Sequence, residues 1–211
     1  MNSSIEFDVD LIQRYDLAGP RYTSYPTAVQ FHHQFDETEY LQAIHDSNAS
    51  QRPLSLYVHL PFCGTVCYYC ACNKIITANR KRASPYLDDL HQEIELQAAR
   101  FTEKRPVSQL HFGGGTPTFI SDDEITCLMN KLRQHFYLLE EDKGDYSIEI
   151  DPREVTPAKI VLLRQLGFNR MSFGVQDFDP KVQVAVNRIQ SLEQTAAAVD
   201  AARASGFHSI N

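Results

Sequence analysis

Apolar runs and amphipathic stretches alternate along most of this chain. Residues 54–60, LSLYVHL, form a nearly continuous apolar run with branched and aromatic side chains, which predicts a strand buried on both faces. Four more strands are predicted at 107–112, 146–150, 170–175 and from residue 207 onward. Between the strands, apolar residues recur at helical spacing. The pattern therefore predicts repeated strand–helix units.

The predicted helices have recognisable starts and stops. A serine or threonine able to cap a helix stands before each of them, and a glycine follows two. The starts are Ser84–Pro85, Ser121 with Glu124, Thr156–Pro157 and Ser191 with Gln194, and the stops are Gly167 and Gly206. A further short helix is predicted at 37–45, but residues 1–53 otherwise show little periodicity and are interpreted as an N-terminal extension.

Alternating strands and helices predict an α/β fold with parallel strands, either a barrel or an open sheet. In both architectures the loops after the carboxyl ends of the strands gather at one rim, where ligands bind. The sequence ends within the predicted fifth strand, so we expect an incomplete barrel over residues 54–211, truncated in that strand. Function is therefore to be sought in the residues that follow each strand.

Composition and charge exclude several classes of protein. The 211 residues are 43% apolar and 22% charged, as in an ordinary globular protein. The net charge of -7 does not favour binding to nucleic acid or to an acidic membrane surface. The N-terminus does not resemble a signal peptide and no apolar run reaches about 18 residues, so we expect a cytoplasmic protein without a membrane span.

Four of the five cysteines fall within ten residues after the first predicted strand. Cys63, Cys67 and Cys70 have C-x3-C-x2-C spacing, and Cys72 follows them. Clustered thiolates of this kind bind soft metals and are not typical of secreted disulfide frameworks. Zinc is disfavoured, because structural zinc sites draw two ligand pairs from separate parts of a chain. A 4Fe-4S cluster usually takes four cysteines, so three would leave one iron open.

Glycines and a carboxylate follow the next two strands. The run GGGTP at 113–117 allows the backbone to approach a ligand, although glycine runs more often form simple turns. Glu149 lies between two isoleucines and needs a partner, since a carboxylate is costly to bury alone. That partner is either a neighbouring cation such as Arg170 or a ligand on the rim.

Other conspicuous residues have structural interpretations. His59 and His111 lie within strands and are expected to be core histidines with satisfied hydrogen bonds. Cys127 stands beside Leu128 and is expected to pack on the apolar face of a helix. The basic run at 79–82 is predicted to be a solvated surface loop.

The cysteine spacing, Tyr69 before the last cysteine and the GGGTP run together resemble the signature of the radical S-adenosylmethionine enzymes. Further motifs narrow the resemblance to the oxygen-independent coproporphyrinogen III oxidases of that superfamily. They are PRYTSYPT at 20–27, PLSLYVHLPFC at 53–63, CAC at 70–72, LHFGGGTPT at 110–118, IEIDPRE at 148–154 and GVQDF at 174–178. The resemblance runs from about residue 11 to residue 211 and covers only the N-terminal part of a family member.

The resemblance implies a partial radical S-adenosylmethionine (β/α) barrel that lacks the family's C-terminal domain. It implies oxidative decarboxylation of coproporphyrinogen III to protoporphyrinogen IX in haem biosynthesis, through a 5'-deoxyadenosyl radical. It also implies a 4Fe-4S cluster, two S-adenosylmethionine molecules, a one-electron donor that the sequence does not identify, and a monomeric enzyme. Because part of the family's barrel is missing, the 211-residue chain is expected to be inactive by itself.

The resemblance also assigns roles to individual residues. Cys63, Cys67 and Cys70 would ligate the cluster, and Cys72 matches a family cysteine that is not a ligand. The first S-adenosylmethionine would contact Tyr57, Tyr69, Gly114 and Glu149, and the second would contact Gly115, Thr116, Gln176 and Arg188. Arg21 would pair with a propionate of the substrate, with a structural role for this arginine as the alternative.

Two other functions are compatible with parts of this pattern. A haem chaperone of the same superfamily has similar barrel motifs, but the segment 20–27 and Cys72 fit the oxidase pattern. A metal-cluster module without turnover belongs to a different functional class. Metal content separates this module from the enzyme, since the enzyme requires iron with sulfide and not zinc.

Overall fold

The computed structural model describes residues 8–16, 30–102, 104–140 and 142–211, and it divides into two compact units at Ala43 and Ile44. The first unit contains helix α1, Val9–Tyr15, whose first turn is capped by the Asp8 carboxylate. Helix α2, Glu37–Ser50, is longer than the predicted segment 37–45. No helix in the described ranges has the length and apolarity needed to cross a membrane.

The second unit is built on a parallel sheet. Its strands are β1 Leu54–Leu60, β2 Phe62–Cys63, β3 Ile75–Ile76, β4 Pro106–Gly114, β5 Tyr137–Leu138, β6 Asp145–Ile150, β7 Arg170–Phe173 and β8 Ser209–Ile210. The main sheet has the order β1-β4-β6-β7-β8, with β5 beside β4, while β2 and β3 form a separate parallel pair. The predicted α/β fold with parallel strands is confirmed.

Helices connect these strands and cover one face of the sheet. The covering helices are α3 Ala83–Ala98, α4 Asp122–His135, α5 Pro157–Gln165 and α7 Leu192–Ala204, while the short helix α6 Pro180–Ala185 follows β7 and is mostly exposed. Alternate residues of the strands, such as Val58, Phe112 and Ile148, point into a core that they share with the helices. Parallel connections bring the carboxyl ends of β1, β4, β6 and β7 to one rim.

The other face of the sheet is not a second core. The prediction that 54–60 is buried on both faces is wrong, because Ser55 and Tyr57 are exposed while Val58 and Leu60 are buried. The side chains of Tyr57, His59 and their neighbours on β4 and β6 are polar and leave this face open. The strand therefore alternates, with one face in the core and the other available to a ligand.

The helix signals in the sequence are mostly confirmed. Ser121 and Glu124 form the predicted capping box of α4, and Thr156 caps α5. Ser84 is not a cap, because Asn79 starts a 3₁₀ turn at Arg80–Arg82 that leads directly into α3. Gly167 and Gly206 adopt the left-handed backbone of a helix stop, with φ of +99° and +81°.

Candidate functional site

A cavity of about 280 Å³ opens at the carboxyl rim of the sheet. It lies where the loops after β1, β4, β6 and β7 meet. All but one of the predicted ligand residues in the described ranges line it, namely Cys63, Cys67, Tyr69, Cys70, Gly114, Gly115, Thr116, Glu149, Gln176 and Arg188. Residues from four separate loops therefore converge on one space, as the order of the strands predicts.

The cysteines are carried by a closed loop, not by a helix. Its stem is the β2–β3 pair, in which Thr77 N donates to Cys63 O at 2.9 Å. At the far end Cys70 N donates to Cys67 O at 3.1 Å, which makes a turn. Lys74 Nζ donates to Cys70 O at 2.7 Å and ties the returning chain to this turn. These bonds hold three cysteines at the wall of the cavity.

The thiols of this loop have different surroundings. Cys67 is buried, Cys63 and Cys70 are half-buried, and Cys72 is exposed. The Thr116 hydroxyl lies 3.7 Å from Cys63 Sγ. Burial raises the pKa of the Cys63 thiol, and the Thr116 hydrogen bond opposes that shift. The fifth cysteine, Cys127, is exposed on α4, so the prediction that it packs on the apolar face of that helix is wrong.

The donor set fits an iron-sulfur cluster better than a mononuclear metal. In the ranges that the structure covers, no three Cys, His, Asp or Glu side chains are grouped around a single ion position. Cys63, Cys67 and Cys70 nevertheless face one cavity. Since each cysteine of a 4Fe-4S cluster binds a different iron, such ligands surround a volume and do not meet at a point.

The glycine run packs on the stem of the cysteine loop. Gly115 N donates to Leu60 O at 2.9 Å, and a Cβ on Gly115 would lie 2.7 Å from the backbone of Pro61. Gly114 has φ of +110°, and a Cβ there would lie 2.6 Å from the His59 ring. A side chain at either position would separate the two loops. The glycines therefore bring the cysteine loop and the rim of β4 together.

Glu149 at the end of β6 is directed to this glycine run. Its Oε2 accepts from Gly114 N at 3.3 Å, and its Oε1 lies 3.4 Å from His111 Nε2. Arg170 pairs instead with Asp145, at 2.6 Å, so the alternative of a Glu149–Arg170 ion pair is wrong. Almost half of the Glu149 side chain, 46%, stays exposed, which leaves a carboxylate on the rim able to accept further hydrogen bonds.

Two histidines and a tyrosine lie beside Glu149 on the open face. The Tyr57 hydroxyl lies 2.8 Å from His59 Nδ1, and its ring stacks on His111 with centroids 5.7 Å apart. His111 Nδ1 is 2.7 Å from Ser147 Oγ. The prediction that His59 and His111 lie in the core is wrong, because the sheet face that carries them is open. Both histidines nevertheless have hydrogen-bond partners, as predicted. Tyr57 does not line the cavity and is 59% exposed.

Gln176 and Arg188 follow β7 and line the cavity together with Tyr69 of the cysteine loop. Gln176 has a φ of +64°, a left-handed conformation that is unusual for a residue with a side chain. Desolvation raises the pKa of Tyr69 to about 12, which keeps its hydroxyl protonated. Arg188 is buried and donates to Gly174 O at 2.8 Å. Arg21 lies outside the described residues, so its contact with a propionate stays a prediction.

Two charged residues at the cavity wall were not predicted. Asp151 and Arg153 follow β6 and form an ion pair at 2.8 Å, and Asp151 also pairs with Arg188 at 3.0 Å. Both arginines reach Cys67 Sγ, at 3.9 Å from Arg153 and 3.7 Å from Arg188. The signal for them was the pair of opposite charges immediately after an apolar strand, within IEIDPRE.

Comparison with known proteins gives a consistent result. Residues 57–211 match the family described as the Radical SAM superfamily. The chain is 56% identical to the oxygen-independent coproporphyrinogen III oxidase of Pseudomonas aeruginosa over 211 residues, which are 100% of this chain and 46% of that protein. The protein of the same name from Escherichia coli strain K12 is 49% identical over 207 residues, 98% of this chain and 44% of the relative.

A solved structure agrees with these relatives. Coproporphyrinogen III oxidase from Escherichia coli, described as a radical SAM enzyme, superposes with a TM-score of 0.84 and 47% identity. The match covers 98% of this chain and 45% of that chain. The chain thus spans about half the length of the relatives that it matches.

Proposed function

Because the chain belongs to the radical SAM superfamily, we propose that it supplies the cofactor-binding part of an oxygen-independent coproporphyrinogen III oxidase. The observation that carries this proposal is the single cavity at which the cysteine loop, the glycine run and Glu149 meet. The identity to oxidases extends over the whole chain and is not confined to the cysteine motif. The substrate would be coproporphyrinogen III and the product protoporphyrinogen IX.

Cys63, Cys67 and Cys70 would hold a 4Fe-4S cluster, and Cys72 would not be a ligand. When bound, the cluster supplies single electrons to S-adenosylmethionine at its open iron. The protein's own task is to fix three thiolates, to exclude water and to keep a polar wall around the bound molecules. The hydrogen-bonded stem at β2–β3 and the turn at Cys67–Cys70 support the first of these tasks.

Two S-adenosylmethionine molecules would bind at this cavity and on the adjoining open face of the sheet, which carries Tyr57. The first would contact Tyr57, Tyr69, Gly114 and Glu149, and the second would contact Gly115, Thr116, Gln176 and Arg188. The half-exposed side chain of Glu149 supports the first assignment, because a carboxylate accepts hydrogen bonds from an ammonium or a ribose hydroxyl. The strained backbone at Gln176 supports a functional role for that residue in the second.

The remaining partners are proposals of the same kind. An unidentified one-electron donor would reduce the cluster, and the enzyme would act as a monomer in the cytoplasm. The clustered free cysteines support a reducing compartment, because such a group would be oxidised elsewhere. Arg21 would pair with a substrate propionate through its two parallel N–H groups.

The experiment is an anaerobic assay of coproporphyrinogen III with dithionite and S-adenosylmethionine. It uses the 211-residue chain and a form extended to the length of its relatives, each with and without Cys67→Ala. Protoporphyrinogen IX is expected from the extended form alone, and it should require both S-adenosylmethionine and Cys67. Extended protein that loads a cluster and binds haem without any conversion would contradict the proposal and favour a haem chaperone.

A further inference from the structure

A largely buried group of charges lies beside Cys67. Asp151 Oδ2 accepts from Arg153 Nη2 at 2.8 Å and pairs with Arg188 Nη1 at 3.0 Å. The same two nitrogens lie 3.9 Å and 3.7 Å from Cys67 Sγ. One carboxylate therefore directs two guanidinium groups at one sulfur.

This group carries an excess of positive charge. Two guanidinium groups and one carboxylate sum to about +1 at neutral pH. The exposed fractions of Asp151, Arg188 and Cys67 are 7, 8 and 9%, and 19% of the Arg153 side chain is exposed, so water and salt screen this charge less than they screen a surface charge. A guanidinium group stays protonated at neutral pH, so both arginines contribute a full positive charge.

The two arginines differ in what they do for the fold. Arg188 donates to Gly174 O at 2.8 Å and to Gln190 Oε1 at 3.2 Å, so it also braces the loop between β7 and α7. Arg153 pairs with Asp151, two residues before it, which joins no separate elements. In the described part of the chain, Arg153 also reaches one group that is distant in sequence, the sulfur of Cys67. Its position is therefore explained by the sulfur better than by the fold.

We propose that Arg153, together with Arg188, donates to the Cys67 sulfur in the cluster-loaded protein and makes the cluster easier to reduce. Asp151 is the positioning residue that holds both guanidinium groups. The inference rests on the proposed function, because it requires a cluster bound to Cys67. Reduction adds one negative charge to the cluster, and hydrogen bonds to a ligand sulfur together with a nearby positive charge favour that state.

The test is the midpoint potential of the reconstituted cluster, titrated anaerobically with dithionite and mediators in the absence of S-adenosylmethionine. In Arg153→Gln we expect the oxidised-to-reduced ratio at a fixed potential to rise about tenfold, equal to about 59 mV for a one-electron couple. Arg188→Gln should lower the potential as well. Arg153→Lys should lower it less, because the positive charge is kept while the planar donor group is lost.

Arg80→Gln is the matched control. Arg80 pairs with Glu154, on the same cavity wall, at 2.7 Å and has a carboxylate partner as Arg153 does. The midpoint potential of the cluster in Arg80→Gln should equal that in the unaltered protein. An unchanged potential in Arg153→Gln, or an equal shift in Arg80→Gln, would overturn the proposal. If Arg153→Gln holds no cluster, the midpoint potentials of Arg153→Lys and Arg188→Gln test the proposal instead. An unchanged potential in both variants would overturn the proposal.

The unaltered protein separates this inference from the proposed function. Failure to load iron and sulfide in the unaltered protein would refute the cluster and with it the function. A loaded cluster whose potential ignores both arginines would refute only the role of the arginines. Weaker S-adenosylmethionine binding in Arg153→Gln at an unchanged potential would assign Arg153 to ligand binding and also refute that role.

Discussion

The two ends of the parallel sheet both carry aspartate–arginine pairs, yet they are built differently. At the amino end, Asp142 pairs with Arg164 at 2.9 Å and with His208 at 3.2 Å, and Arg164 Nε donates to Gly206 O. At the carboxyl end, the arginines that pair with Asp151 also reach a thiol at the cavity wall. The first network ends on other protein groups, whereas the second also presents positive charge to a thiol that lines the cavity.

The volumes of the cavities at the two ends of the sheet do not indicate which end binds a ligand. The amino-end cavity measures about 500 Å³ and the carboxyl-end cavity about 280 Å³. The larger one is bordered by closed pairs, such as Asn169, which accepts from Tyr146 N and donates to Gly144 O. The smaller one is bordered by four cysteines, among them Cys72, and by the half-exposed side chain of Glu149. Chemistry follows the direction of the polar groups and not the available volume.

The largest expected effect is the loss of the cluster when one ligand is removed. Cys63→Ala, Cys67→Ala and Cys70→Ala should each abolish the brown chromophore after anaerobic reconstitution, because three thiolates are the minimum set that holds it. Cys127→Ala, at an exposed position of α4, should keep the chromophore. Absorbance together with iron and sulfide content measures the effect. Equal loss in Cys127→Ala would remove the distinction among the cysteines.

The next effect concerns the carboxylate on the rim. Glu149→Ala should weaken S-adenosylmethionine binding by about ten- to a hundredfold, since the loss of a charged hydrogen bond costs about 1.5–3 kcal/mol. Calorimetry on cluster-loaded protein measures it. Glu140→Ala, at the amino-end cavity, should leave the affinity unchanged. Unchanged affinity in Glu149→Ala would contradict the assignment of that residue.

A substitution at the amino-end cavity should lower the stability of the fold and leave cofactor binding unchanged. Asn169→Ala should lower the free energy of unfolding by about 1–3 kcal/mol, because it leaves buried backbone groups of Tyr146 and Gly144 without partners. Urea unfolding measures this loss, and Asn130→Ala at an exposed position of α4 is the control. Cluster loading should not change. A loss of loading in Asn169→Ala at unaltered stability would erase the contrast between the two ends.

The smallest expected effect is the pH dependence of the stability that Asp142 contributes at the amino end of the sheet. The hydrogen bond from Arg164 lowers the pKa of Asp142, against a smaller opposing effect of burial. A carboxyl group with a lowered folded-state pKa stabilises the fold above its unfolded-state pKa of about 3.9 and loses that contribution as the pH falls. Asp142→Asn should therefore cost at most about 1 kcal/mol at neutral pH and less in acid. A cost that grows toward acid pH would show the sign to be wrong.

The sequence predicted what depends on local signals. The strand at 54–60 has the predicted bounds, and the capping box at Ser121 and Glu124 is present, because each is encoded by neighbouring residues. The cysteine loop and the glycine run were found for the same reason. Short elements such as β5 and α6 were missed, since two to six residues are too few to show a period.

The contacts that join distant loops could not be predicted in this way. Arg153 and Arg188 both pair with Asp151 although they are 35 residues apart in the sequence. Nothing in the sequence around either arginine indicates that both also contact the sulfur of Cys67. The exposure of Cys127 was also missed, because its helix packs through Ile125, Leu128 and Met129 and turns position 127 outward. Such features depend on how elements pack, which no local pattern contains.

The most direct test of the central claim is the electron paramagnetic resonance spectrum of the reduced, anaerobically reconstituted protein, with and without S-adenosylmethionine. We predict about four iron and four sulfide atoms per chain. One of the four irons should have no cysteine ligand. The spectrum should change when S-adenosylmethionine is added, because this iron takes a new ligand. Bound zinc without sulfide, or a cluster spectrum that saturating S-adenosylmethionine leaves unchanged, would contradict the account.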